Sequence, residues 1–171
     1  HELLGISYNS LGHRQQALDP MQACLDLRTK VLPSGHHELW RAKNSLGVCL
    51  RDIGQLEEGE AMLRDALAMI VLAEGPEDWD SLLCANNLAV TLVHAGKNEE
   101  ALELSQTTAE ILRRDGSEVD SNLIQTENTL ASALFFVGRI EEALELLADV
   151  LVRTERSLGP DNGLTLATTQ N

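Results

Sequence analysis

Gly12, Gly54, Gly96 and Gly138 stand 42 residues apart, three intervals in a row without slippage. A fixed period of that length describes an array of like units, each burying its apolar side against the next, and not one intermixed core. Other residues are copied with the glycine. Leu46, Leu88 and Leu130 lie eight residues before it and are followed by a small residue, Gly47, Ala89 or Ala131. Asn44, Asn86 and Asn128 precede those leucines by two residues, and Leu50, Leu92 and Leu134 follow four later. Leu4, Gly5 and Tyr8 repeat part of this pattern ahead of Gly12. Five residues after each glycine comes Ala17, Gly59, Ala101 or Ala143, and the run Glu99–Leu104 recurs unchanged at Glu141–Leu146.

The pattern within each unit is that of a helical hairpin. Leu46, Leu50 and Ile53 are spaced three or four residues apart and share one helical face. The small residues at 47, 89 and 131 allow a second helix to approach closely. The glycine ends the first helix in a left-handed conformation. The second helix opens on acids (Glu57 and Glu58, Glu99 and Glu100, Glu141 and Glu142), which favours the positive end of its dipole. Two of these helices close on bases, Arg113 with Arg114 and Arg153 with Arg156. Pro33, Pro76, Gly116-Ser117 and Pro160 separate the hairpins. The spacing predicts helices over 1–11, 14–31, 38–53, 56–73, 80–95, 98–115, 121–137 and 140–158, and a ninth starting near 162. Pro20 removes one hydrogen bond from the second of these. It predicts a kink there, or a helix that starts at Asp19-Pro20.

The repeated stretches resemble the tetratricopeptide repeat, in the 42-residue form found in kinesin light chains and many bacterial signalling proteins. Asn86-Asn87-Leu88-Ala89, the turn from Gly96 to Glu99-Glu100-Ala101-Leu102, and Leu158–Asn162 carry the resemblance. It implies an all-α fold: a right-handed α-solenoid of about four helix-turn-helix repeats plus the start of a fifth. The repeats would cover 1–36, 37–78, 79–120 and 121–161, with a partial one over 162–171, as a single array cut from a longer chain. Two departures stand out. Lys43, Ala85 and Glu127 replace a bulky residue early in the first helix. Ser105 and Thr108 occupy positions where other units bury apolar side chains, so the third unit is expected to pack less firmly.

With aromatic residues at only 3%, leucine and alanine must carry the packing. The longest apolar run, Ala66–Ala73, is far too short to span a bilayer, so no membrane association is expected. A net charge of −14 opposes binding to nucleic acid through its backbone. Cys24, Cys49 and Cys84 form no Cys-x-x-Cys pair and are expected as small buried thiols in a reducing, cytoplasmic setting. The acids gather on the second helices (Glu57, Glu58, Glu60 and Asp65; Glu99, Glu100, Glu103 and Glu110; Glu141, Glu142, Glu145 and Asp149). In the family's arrangement those helices form the outer side, so the acid is a solvated coat.

The resemblance also implies that the first helices line a concave face that contacts ligands. Offsets of 13, 10, 6, 3 and 2 residues before each glycine share one helical face. They select Arg41, Leu83 and Gln125; Asn44, Asn86 and Asn128; Val48, Val90 and Ser132; and Arg51 with Asp52, Val93 with His94, and Phe135 with Phe136. An asparagine amide donates and accepts, so this column, with Asn87 beside it, suits the backbone of an extended peptide. The same amides equally suit hydrogen bonds to a neighbouring helix. Leu83, Val90, Val93, Phe135 and Phe136 form an apolar strip for a partner's side chains, unless Phe135 and Phe136 pack under a following repeat. Arg41 and Arg51 favour an acidic residue in the partner. The carboxylate clamp of chaperone-binding relatives is not present. Its positions fall on Asn44, Val48, Asn87, Gln125 and Thr129, where only Asn87 matches; one unit earlier they fall on Glu2, Ile6, Ser45, Leu83 and Asn87, where no position matches.

Catalytic chemistry is absent from the pattern. The run His37–Arg41 starts like a zinc-protease helix, but Arg41 stands where the second histidine is required. His36 and His37 read as a solvated pair, no glycine loop cradles phosphate, and no cofactor or metal is implied. The expected function is a scaffold that binds a protein or peptide segment in the groove. The alternatives are a sensor arm of a larger signalling protein, such as an ATPase switch or protease effector, and self-association through the repeat ends.

Overall fold

The computed structural model describes residues 14–114 and 121–158. Every regular element among them is an α-helix: α1 (Arg14–Val31), α2 (His37–Asp52), α3 (Leu56–Glu74), α4 (Trp79–His94), α5 (Asn98–Arg114), α6 (Ser121–Phe136) and α7 (Ile140–Leu158). These seven match the expected spans to within a residue at each end. The helices expected over 1–11 and from 162, and Gly12 itself, lie outside the described residues. The chain forms two compact units, one running through Thr91 and the other starting at Leu92.

In the first unit α1 packs on α2 and α2 on α3. Ala17, Met21 and Leu25 of α1 meet Ala42, Leu46, Cys49 and Leu50 of α2 in one core cluster. α1 does not start at Asp19-Pro20, as one reading allowed; it runs from Arg14 with Pro20 inside it. The approach of α3 to α2 is set by glycine on both sides. A Cβ on Gly47 would stand 2.7 Å from Leu63 Cγ, and one on Gly59 would stand 2.9 Å from the Gly47 carbonyl oxygen. His36 caps α2, its Nδ1 accepting from the Glu38 amide at 3.2 Å, and its ring stacks on His37 at 4.4 Å.

The periodic glycines do what their spacing implies. Gly54, Gly96 and Gly138 have φ of +85°, +74° and +86°. Each ends its helix with the same pair of hydrogen bonds. Gly54 N donates to Arg51 O and Gln55 N to Leu50 O, both at 2.9 Å. Gly96 and Lys97 repeat this onto Val93 and Leu92, and Gly138 and Arg139 onto Phe135 and Leu134. This double bond is the Schellman cap, which satisfies carbonyls that the helix end would leave orphaned.

In the second unit α5 packs on α6 and α6 on α7. Ser105 and Thr108 are fully buried, at 0% and 2% exposure. Their hydroxyls donate to the carbonyls of Ala101 (2.6 Å) and Leu104 (2.8 Å) in the turn before. The core thus accepts them without an unsatisfied group. Glu127 departs furthest from a leucine core: it is entirely buried. Arg113 of α5 donates to its Oε1 through Nη2 at 2.8 Å and Nε at 3.0 Å. Arg153 of α7 donates to Oε2 at 2.5 Å and also reaches Asp149 at 2.9 Å. One carboxylate therefore joins all three helices of the unit.

Two expectations need correcting. Cys49 and Cys84 are buried thiols, but Cys24 is partly exposed. The acids of the second helices are exposed except Glu60, which is 7% exposed and takes the Arg64 Nε–H at 3.0 Å.

Candidate functional site

Three of the residues selected by counting back from the glycines meet at one place. Arg41 and Asn44 of α2 and Leu83 of α4 line a pocket of about 250 Å³, together with Trp40, Ser45, Ile70 and Asp80. α2 and α4 bring these groups together because both are first helices of their hairpins, offset by one period. Arg41 is exposed, lies 5.6 Å over the Trp40 ring in a cation–π contact, and sits 3.7 Å from Asp80. Ile70 and Leu83 supply the apolar wall. The pocket therefore offers a cation, a carboxylate, a hydroxyl and an amide around an aliphatic surface.

The asparagine column takes two environments. Asn44 is half-buried and its Oδ1 accepts from Asn87 Nδ2 at 3.1 Å, a direct link from α2 to α4. That bond leaves the Asn44 amide N–H₂ without a partner among the described residues. Asn86 is buried, at 3% exposure. Asn87, next to it, is half-buried. Arg51 is half-buried and donates twice to Asp52, at 2.8 and 2.9 Å, so its charge is already matched. Val90 is half-buried.

In the second unit Val93 and Asn128 are half-buried and Gln125 is exposed. Ser132 donates to the Asn128 carbonyl at 2.9 Å. Phe135 and Phe136 are 54% and 60% exposed and meet edge to face at 5.5 Å. They present a bare aromatic surface at the end of α6. Trp40, Ser45 and Asp80 were not selected by the offsets. Trp40 and Ser45 are the chain neighbours of Arg41 and Asn44, whereas Asp80 lies about one helical turn before Leu83 on α4. Among the described residues no group of histidines, cysteines and acids is arranged to hold a metal ion, and no helix is long and apolar enough to cross a membrane.

Tetratricopeptide-repeat models match residues 38–114, 3–38 and 125–162, nearly the whole chain. The chain belongs to the tetratricopeptide repeat family. Its helical hairpins are those of an all-α repeat solenoid. Crystal structures of a Podosopora anserina putative kinesin light chain with nearly identical TPR-like repeats share this fold. One superposes with a TM-score of 0.85 at 23% identity, covering 98% of this chain and 79% of that one. A second superposes with a TM-score of 0.84, also at 23% identity and the same coverage. BtubC (BKLC) from P. vanneervenii is similar too, with a TM-score of 0.81, 18% identity, and coverage of 92% and 63%. No curated protein sequence matches the chain significantly. Tetratricopeptide repeats mediate protein–protein interaction, and the family is typically made of scaffolds without enzymatic activity.

Proposed function

We propose that this chain is a binding module that holds a protein or peptide segment along the first-helix faces. The observation that carries this is the pocket gathering Arg41, Asn44 and Leu83, positions selected from the repeat alone. Its aliphatic wall takes an apolar side chain. The Asn44 amide and Ser45 hydroxyl bond the partner's backbone. Arg41 and Asp80 at the rim tolerate polar neighbours of either sign. In the second unit Gln125, Asn128, Phe135 and Phe136 offer a further surface of the same kind. Three cysteines without disulfides suit a reducing compartment, and we place the protein in the cytoplasm.

The test begins with peptides selected from a random display library against the purified chain. Their affinities are then measured by fluorescence polarisation. Leu83→Glu, with folding verified by circular dichroism, is expected to weaken the selected peptides more than about tenfold, since it puts a charge where an apolar side chain must dock. Peptides that bind this variant with unchanged affinity would remove the pocket from the proposal.

A further inference from the structure

The second unit has another opening, on the side of α6 away from Gln125, Asn128 and Ser132. Leu130 and Leu134 are four residues apart and lie half a helical turn from those polar positions. With Leu102 of α5 and Leu146 of α7 they line a groove of about 320 Å³. That is at the low end of the size of ligand pockets, roughly 300–1,000 Å³. It is also open, which suits the side chain of a passing protein segment better than a small molecule that must be enclosed.

The charges around the groove decide what fits. Arg113, Arg139, Glu110, Glu142 and Glu145 are all part of its wall. Arg139 is matched by Glu142, with Nη2 to Oε2 at 2.6 Å. Arg113 and Arg153 share Glu127, and Arg153 also holds Asp149, so those four groups sum to zero. Glu110 accepts from Gln106 at 3.3 Å, but neither it nor Glu145 has an ion pair among the described residues. The groove thus combines a leucine floor with two uncompensated carboxylates.

We infer that this groove receives a lysine or arginine side chain from a partner protein, separately from the first-helix site. The methylene stem lies on Leu102, Leu130, Leu134 and Leu146, and the cationic head reaches Glu110 and Glu145. An acidic side chain would meet like charge. A purely aliphatic one would strip water from the glutamates without replacing it.

The probe is a fluorescein-labelled amphipathic helical peptide of leucine, lysine and alanine, titrated at two salt concentrations. The double variant Glu110→Gln/Glu145→Gln is compared with Glu57→Gln/Glu58→Gln, which removes the same charge from the first unit. Loss of about tenfold in affinity for the first variant only is the expected result. A peptide with each lysine shortened to diaminopropionate should bind the wild type less tightly, because its stem no longer spans the leucines. Equal loss from both variants, no binding by the wild type, or unchanged affinity of the shortened peptide overturns the inference. All four glutamates are exposed, so the variants remain folded and each outcome is readable.

Discussion

Replacing Glu127 by alanine tests the most unusual feature of the second unit. Breaking a buried ion pair by removing one partner costs about 3–5 kcal/mol, because the remaining charge is left uncompensated. Here the remaining charges are two. Arg113 is 44% exposed and recovers water once released, whereas Arg153 is 16% exposed and keeps Asp149. Burial works against the Arg153 charge, but its hydrogen bonds to Glu127 and Asp149 and the negative charge of both carboxylates together outweigh it, so its pKa is held above the usual arginine value. Partial rehydration of Arg113 places the expected loss at the lower end, about 3 kcal/mol. Because the stability of a repeat array is a sum of local terms, the loss should fall on the second unit alone. Native-state hydrogen exchange reads this directly: amides of α5, α6 and α7 should exchange about a hundredfold faster, a factor of about ten per 1.4 kcal/mol. Those of α1 to α3 should be unchanged. A loss under about 1 kcal/mol, or equal acceleration in both units, would refute the reasoning. The triple variant Arg113→Met/Glu127→Leu/Arg153→Met should recover the lost stability, since a well-packed apolar set often equals a buried ionic one.

The glycines should separate into two classes in urea unfolding. Gly54→Ala, Gly96→Ala and Gly138→Ala meet open space, and each should cost roughly 1–2 kcal/mol from left-handed backbone alone. Gly47→Ala has ordinary helical backbone but drives a methyl into Leu63, and should cost about 1–3 kcal/mol through overpacking. Native thiol labelling at neutral pH should modify Cys24 first, with Cys49 and Cys84 reacting only on unfolding. Burial, helped by Asp80, pushes the Cys84 thiol from 9.0 up to about 12. The folded state therefore holds that proton more tightly than the unfolded one. Its contribution to stability is complete below pH 9.0 and is lost as pH rises toward 12, which a Cys84→Ala variant should flatten. A double-mutant cycle on Asn44 and Asn87 should return about 1 kcal/mol for their neutral hydrogen bond, and near zero if the link is a bystander.

Helix ends were legible because the residues that set them are local. A glycine at positive φ, a proline in the loop and acids in the first turn act over a few positions, and the 42-residue spacing repeated the message. The pocket was half legible for a related reason. Arg41, Asn44 and Leu83 fall on one helical face and were found by counting, while Trp40, Ser45 and Asp80 enter it through the way α2 and α4 meet. One offset also placed Asn44 and Asn86 in unlike surroundings: Asn44 is half-buried and bonded to Asn87 of α4, whereas Asn86 is buried. Glu127 was visible as an oddity but not as a buried group. Its two arginines lie 14 and 26 residues away on other helices, and no periodic pattern announces a contact of that range. Glu60 was misread for the opposite reason: its neighbours in the chain are solvated acids, and burial depends on the close approach of α3 to α2.

The position that carries Glu127 has a wider consequence. One period earlier it is Ala85, and two periods earlier Lys43, which pairs with Asp65 of α3. Chains of near-identical repeats are prone to misassembly, since one hairpin can dock where another belongs. The shared backbone caps give no protection against that error. The charge at this column does. Arg153 belongs to the same hairpin as Glu127, so a misplaced hairpin takes the place of both: one bearing lysine would set a second cation beside Arg113, and one bearing alanine would leave Arg113 unanswered. The column thus labels otherwise similar hairpins by their order in the chain, and makes the wrong order costly during folding.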